Sequence, residues 1–422
     1  MIIALGSLIV LVTVYLLVKQ YETRMVLFAS GLALALVSGD LMSPFKSFSH
    51  AMTETRLFEN IIAAMGFAMV MKVTECDKHL VNLLARWLKF AGPFLIPGTV
   101  MITFFVNISV TSAAVCAAAV GPIFIPLLMS VGIHPAIAGS AVFAGTIGAM
   151  LNPGHAQILV AASVSKANPL DIVANHSFAL ILSGFIGAFC LYAVAKAMKE
   201  NKGYELPADK ALVDPSKFKV NYLWAVVPLI PLVILMLGTT KMFVVLKPLT
   251  ISHAMLIGVL CGMLVTRTNP AKISKEFWHG AGDGFGHVFG IIICAMVFVG
   301  GLNAVGIIKA LTQLMTDTPA IAKFSAAFGP FILAVLSGSG DAAAIAFNKA
   351  VTVEAAKFGL NGMDMASTAV IAGNLGRTMS PAAGACVICA GLAGVSPVEL
   401  AKRNALGMVL ALLATLALLM YK

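Results

Sequence analysis

Charge is what this sequence has least of. Acidic and basic side chains make up only 11% of its 422 residues, where an average soluble chain carries about a quarter. Hydrophobic residues supply 60%, which excludes an ordinary soluble globule, because no soluble core absorbs that much apolar surface. Other absences narrow the field. No GxxxxGK loop is present, which disfavours a nucleotide-driven pump. No repeated filter or ring-forming charge pattern suggests a channel, and no interleaving of aromatic and basic residues suggests nucleic acid. The run from Met1 to Val18 lacks a basic leader and a small-residue cleavage site, so it reads as a retained span and not a signal peptide. The seven cysteines lie mostly inside apolar runs, where thiols act as small hydrophobes. Cys386 and Cys389 have CxxC spacing without a second pair or a histidine cluster nearby, so packing is expected there, with neither disulfide nor zinc.

What is abundant is apolar sequence in blocks of membrane length. Runs near 2–18, 25–43, 57–72, 92–130, 135–165 and 172–195 precede a polar stretch at 196–220, and runs near 221–239, 248–266, 285–308, 323–357, 363–394 and 399–420 follow it. About 20 apolar residues cross a hydrocarbon layer. Residues 76–90 space apolar and basic residues at helical period, which suits a helix lying on the membrane surface. The expected fold class is an all-α polytopic membrane protein with a first half at 1–195, a cytoplasmic linker at 196–220 and a second half at 221–422.

The halves align. Asn152-Pro153 and Ser380-Pro381 are 228 positions apart, as are Asn168-Pro169 and Ser396-Pro397, Gly148 and Gly376, and the pairs Ser109/Ser337 and Thr111/Ser339. This is a duplicated unit. In each half the fourth and fifth apolar blocks exceed one span and are interrupted by Gly, Pro, Ser, Thr and Asn. Such breaks survive at membrane depth only where protein or water satisfies the freed amides. Each half is therefore expected to hold a re-entrant helical hairpin and a discontinuous helix. Five crossings per half would make the two repeats inverted. Seventeen of the 28 Lys and Arg then fall on one side, which makes that side cytoplasmic and turns both termini toward the periplasm. The net charge of +10 reads as topology and contact with anionic lipid headgroups.

Inverted repeats with broken helices point to a secondary carrier with its site near the midplane. Half-helix N-termini attract an anionic solute, and unwound carbonyls and hydroxyls can hold a coupling cation. In the first half the candidate residues are Asn107, Ser109, Thr111 and Ser112 at the hairpin tip, with Asn152, Pro153, Gly154 and His155 at the break. In the second half they are Ser337, Ser339, Gly340 and Asp341 at the tip, with Asn374, Gly376, Arg377, Thr378, Ser380 and Pro381 in a break spanning 373–381. Pro153 and Pro381 each remove an amide donor, so the helix must interrupt and a new half-helix can begin at the proline. Arg377 can hold a carboxylate bidentately, or pair with Asp341, or reach for the interface. Asp341 could bind a cation, carry a proton or neutralise Arg377. Asn107, Ser109, Asp341 and Asn374 are candidate sodium ligands, with H+ the alternative coupling ion and no organic cofactor expected. His155 is read either as titrating or as a structural histidine, and Lys72 and His287 as interfacial anchors.

The stretch GNLGRTMSPAAGACVICAGLAGVSPVELAKR from Gly373 to Arg403, with SGSGDAAAIAF from Ser337 to Phe347 before it, resembles the DcuC family of anaerobic C4-dicarboxylate carriers, within the ion-transporter superfamily. The resemblance implies transport of succinate, fumarate or malate across a bacterial inner membrane, by export, exchange or uptake, with Asn374, Gly376, Arg377, Thr378, Ser380 and Pro381 matching the motif. A homodimer is also implied. Two departures stand out: an acid at Asp341, where the family carries an amide or a smaller residue, and a histidine at His155. An added acid weakens binding of a dianion unless it is protonated or paired, so carriers of amino acids or short-chain carboxylates stay open. Gly338-Ser339-Gly340-Asp341 also fits the GxGD pattern of intramembrane aspartyl proteases. Those enzymes need a second aspartate at membrane depth, and Asp283 and Asp317 lie near segment ends.

Overall fold

The computed structural model describes residues 2–19, 21–53, 55–88, 94–205, 218–238, 243–246 and 248–421, and no strand occurs among them. Each helix start is set by local chemistry. α1 (Ile2–Val18) and α2 (Thr23–Ser38) form the first pair, with the Glu22 carboxylate accepting from the Met25 amide at 2.7 Å. α2 stops at Gly39, whose φ of +79° only glycine adopts without strain. For that reason the block expected at 25–43 is shorter than anticipated, and a separate helix α3 (Met42–Met52) follows it before α4 (Thr55–Val73) and the amphipathic α5 (Cys76–Leu88).

The interrupted blocks resolve into pieces. α6 (Leu95–Ser109) and α7 (Ala113–Ser130) form a hairpin, and α8 (Pro135–Gly145) leads through a 3-10 turn at Gly148–Leu151 into α9 (Ala156–Ser165), bent by 41° at the break. α10 (Pro169–Ala197) closes the first half. The second half runs α11 (Tyr222–Val226), α12 (Ile230–Gly238), α13 (Ile251–Thr266), α14 (Pro270–Asp283), a π-helical turn at Gly284–Phe289, α15 (Gly290–Ala304), α16 (Ile307–Asp317), α17 (Pro319–Ser337), α18 (Gly340–Ala350), α19 (Gly362–Arg377), α20 (Gly384–Ala393) and α21 (Pro397–Met420). Five of these helices are long and apolar enough to cross a membrane, six with the bent pair counted as one span. This is a multi-pass all-α membrane protein.

Element boundaries repeat at the spacing found in the sequence. α2 and α13 are 228 positions apart at both ends, as are α9 and α20, and α10 and α21 both begin at a proline with the same separation. One difference matters. α3 and α4 are two helices, whereas their counterparts join through the π turn into a single helix from Pro270 to Ala304. Asp283, expected near a segment end, therefore sits inside that long helix.

Two large cores, each drawing on both halves, account for most of the buried apolar residues, and a small third one joins Leu34 to Leu302, Val305, Ile307 and Ile308. One of the two is built largely from residues of α5 to α10, α17 and α19 to α21, with Phe124, Phe143, Ile147 and Met150 among its buried side chains. The other is built largely from α2, α4, α13 and α15. In the second body, helices touch backbone to backbone at small residues: a Cβ on Gly31 would stand 2.6 Å from the Val297 carbonyl oxygen, and one on Gly301 2.5 Å from the Gly31 oxygen. Small residues at such crossings replace the hydrophobic drive that lipid cannot supply between helices. In the first body the same device occurs in both halves. A Cβ on Gly148 would lie 1.9 Å from the Phe104 carbonyl oxygen, and one on Gly376 2.2 Å from that of Phe331.

The ends of the linker are fastened separately. The Arg403 guanidinium, almost fully buried, holds Glu200 at 2.5 Å and Glu399 at 2.6 Å, joining the end of α10 to the start of α21. His134 donates its amide to the Glu200 carbonyl at 2.9 Å. Residues 206–217 lie outside the described residues. Beyond them Arg86 donates to the Phe218 carbonyl at 2.5 Å and the Asn221 amide donates to His79 Nδ1 at 2.9 Å, both on α5.

A methyl group at Gly376 must displace the α17 backbone. Gly376→Ala is expected to cost about 1–3 kcal/mol and to lower the thermal midpoint in detergent. Gly391→Ala, in a helix where nothing lies within 4 Å, should be neutral or stabilise by up to about 1 kcal/mol. Equal midpoints for the two variants would contradict the close approach.

Candidate functional site

The first hairpin and the first break are laced together through their asparagines. Asn107, in the last turn of α6, donates Nδ2 to the Val110 carbonyl at 2.8 Å and accepts the Ala149 amide on Oδ1 at 2.8 Å. Asn152 donates to the Ile108 carbonyl at 2.8 Å and accepts the Gly154 amide at 2.8 Å. Four backbone groups freed by the interruption are thus satisfied inside the protein, as a nonpolar surrounding requires. Pro153 lies in the break, but the half-helix does not begin there. It begins three residues on at Ala156, with His155 as its cap, Nδ1 accepting the Gln157 amide at 3.3 Å.

The second half differs in detail. Ser337 ends α17, Gly338 turns the chain with φ +74°, and Ser339 caps α18 by accepting the Ala342 amide at 3.2 Å. Residues 373–377, read as part of the break, are the last turn of α19, because the interruption starts only at Thr378. Arg377 therefore leaves the C-terminus of a helix. Thr378 Oγ1 donates to the Asn374 carbonyl at 2.8 Å, Ser380 Oγ accepts the Ala382 amide at 3.3 Å, and α20 begins at Gly384, past Pro381. Gly340 and Gly376 are packing positions: a Cβ on Gly340 would stand 2.9 Å from the Gly373 carbonyl oxygen and 3.4 Å from the Arg377 Cβ.

A cavity of about 420 Å³ lies between these breaks. Of the residues singled out in the sequence it is lined by Thr111, Ser112, Gly154, His155, Asp341, Asn374 and Arg377. Asn107, Asn152, Pro153, Ser337, Ser339, Gly340, Gly376, Thr378, Ser380 and Pro381 shape the surrounding backbone and do not line it. Ser109 instead lines an adjoining space of about 200 Å³ together with Lys72 and Asp77, and its buried hydroxyl has no hydrogen-bond partner. Thr111, Ser112 and Asp283 border both spaces. The four candidate sodium ligands are thus divided between two spaces and the scaffold. The His287 side chain lies outside the described residues.

Arg377 is 8% exposed and is held by one residue of the opposite half: Nη2 donates to the Thr146 carbonyl at 2.6 Å and Nη1 to Thr146 Oγ1 at 3.2 Å. No carboxylate lies within 4.0 Å of it among the described residues, Asp341 included. Asp341 is engaged by a neutral relay, Oδ1 accepting Gln157 Nε2 at 2.6 Å, while Gln157 Oε1 accepts Asn374 Nδ2 at 2.9 Å. Four helix starts reach the cavity, at Ala113–Ala114 of α7, Ala156 of α9, Asp341 of α18 and Gly384–Ala385 of α20. Only α20 has no side chain capping its first turn.

A family profile described as the C4-dicarboxylate anaerobic carrier, DcuC, matches residues 1–422. The chain belongs to the DcuC family. An uncharacterized transporter of Haemophilus influenzae is 40% identical over a match that covers 63% of this chain and 98% of that protein. The anaerobic C4-dicarboxylate transporter DcuC of Escherichia coli K12 is 23% identical, with 97% of this chain and 95% of the relative covered. Among solved structures, the YdaH transporter of Alcanivorax borkumensis, described as having an unusual topology, superposes with a TM-score of 0.61 at 13% identity, covering 96% of this chain and 97% of that one. That likeness concerns fold alone.

Members of the DcuC family are transporters, not enzymes, which removes the aspartyl protease reading. The earlier ground against it was incomplete, since Asp283 does line the cavity with Asp341. Thr146 and Gln157 were not singled out in the sequence, and Asp283 was placed near a segment end, away from the site. Gln157 stands two residues past His155 on a half-helix already predicted, which was the available signal. Thr146 is an isolated hydroxyl in an apolar run, and Asp283 moves from a segment end to the cavity because α14 and α15 are continuous.

The Asn107 amide satisfies two backbone groups at once. Asn107→Ala is expected to orphan both and to cost about 1–3 kcal/mol for each group left dry, lowering the midpoint in detergent well beyond the effect of Ser112→Ala, a partly open cap. A smaller loss for Asn107→Ala than for Ser112→Ala would refute the lacing.

Proposed function

We propose that this chain is a secondary active transporter of C4-dicarboxylates in the bacterial inner membrane, coupled to protons or sodium and working by alternating access. The observation that carries the reading is Arg377: a buried guanidinium on a cavity wall, oriented by Thr146, with no carboxylate within 4.0 Å of it among the described residues. Leaving such a charge unpaired at membrane depth costs at least about 2.5 kcal/mol on insertion scales. A solute carboxylate removes that cost, and the planar fork accepts it through two parallel hydrogen bonds. The far carboxylate of a C4 acid is received by the α20 amides at Gly384 and Ala385 and by the hydroxyls of Thr111 and Ser112, helix N-termini being favourable for anions.

The two halves, 1–195 and 221–422, are taken as inverted repeats joined by a cytoplasmic linker, with both termini periplasmic. The presence of two cores supports movement of one part of each half against the other. In this scheme the body containing Arg377, Asp341 and Asn374 carries the solute past the body of α2, α4, α13 and α15. Thr111, Ser112 and Asp283, which border both spaces, are where access changes.

Arg377→Ala is expected to lower labelled succinate, fumarate and malate flux in proteoliposomes at least 10-fold with insertion unchanged, and Arg377→Lys to recover only a fraction, because a lysine lacks the fork. Flux equal to the unmodified protein in Arg377→Ala would end the carboxylate role.

A further inference from the structure

The charges on the cavity wall do not match a simple dianion. One guanidinium, Arg377, faces two carboxylates, Asp341 on α18 and Asp283 in the long helix of the other body. Bringing in a solute with two negative charges adds repulsion from both acids. Arg377 and Asp341 are also neighbours that form no direct ion pair. Their helices are in contact where Gly340 meets the Arg377 Cβ, yet no ion pair within 4.0 Å joins them; Arg377 is turned to Thr146 and Asp341 to Gln157. An acid and a base side by side and unpaired on one wall form a receptor for a solute that carries both charges on adjacent atoms.

We infer that the cavity takes a C4-dicarboxylate bearing an α-ammonium group, with Arg377 receiving the α-carboxylate and Asp341 the ammonium. The inference rests on the carboxylate-carrier reading above and names the chemistry of its solute. Gln157 is the positioning residue. Its amide engages one carboxylate oxygen of Asp341 and is fixed in turn by Asn374, so the remaining lone pairs of the acid are aimed at the cavity. A bare metal ion fits this wall less well than an ammonium. The amide oxygen of Gln157 beside Asp341 is already accepting from Asn374, and no cluster of three His, Cys, Asp or Glu occurs among the described residues. An ammonium needs only two or three acceptors, and Asp341 supplies most of them. Asp283, standing 3.8 Å from His279 Nδ1, adds negative potential from the opposite wall, which favours the cationic end of the solute over a hydroxyl.

L-Aspartate and L-malate differ in that ammonium and hydroxyl, so the two distinguish the inference in the unmodified full-length protein. In proteoliposomes, labelled L-aspartate is expected to be taken up with at least a 10-fold higher kcat/KM than labelled L-malate, with succinate no better than malate. In Asp341→Asn the aspartate-to-malate ratio should fall at least 10-fold, and in Gln157→Leu it should fall in the same direction. Malate and succinate flux without aspartate flux overturns this inference and leaves the dicarboxylate reading intact, as does a ratio unchanged in Asp341→Asn. Absence of flux for all three overturns both.

Discussion

Everything in the site depends on how peptide groups freed by a helix break are satisfied where no water is at hand. The Asn107 and Asn152 amides do this for the first half, tying the hairpin tip to the interrupted helix through four short hydrogen bonds. With the backbone so fixed, the helix starts at Ala113, Ala156, Asp341 and Gly384 can point into one space without collapsing onto each other. Close glycine contacts perform the complementary task. Gly148 against Phe104 and Gly376 against Phe331 bring each hairpin within van der Waals reach of its broken helix. The polar site is therefore a by-product of packing that leaves room for nothing larger than glycine at two equivalent positions.

Much of this was legible from the residues because lipid constrains sequence strongly. The apolar blocks, the hairpins, the breaks and the duplication all follow from length, proline and spacing. What was not legible is where each break begins. Proline removes a donor, but the chain can remain helical up to the last satisfiable carbonyl, so α19 continues through Arg377 and α9 waits until Ala156. The helices α3 and α16 were missed because they are short and amphipathic and lie between apolar blocks. Of the site residues, those near a proline or in a polar run were found. Gln157 and Thr146, and the place of Asp283 in the cavity, depend on long-range juxtaposition, which no local pattern encodes.

The duplication is not carried through evenly. Where the first half separates α3 from α4, the second half runs on through a π turn, and that turn sits beside Asp283. A π turn interrupts the usual ladder by one residue and is a frequent mark of functional positions in helices. The two halves thus contribute unequally to the cavity: the first supplies Thr111, Ser112, Thr146 and His155, and the second supplies Asp283, Asp341 and Arg377.

The separate fastening of the linker has a mechanical meaning. One end is clamped by Arg403 to the body that holds the arginine site, the other by Arg86 and His79 to α5. Seventeen residues separate Glu200 from Phe218, a contour of about 60 Å when drawn out. Leu80, Val81 and Leu84 of α5 pack into the same core as α10 and α21, so both clamps belong to one body and the linker's ends need not separate when the other body shifts.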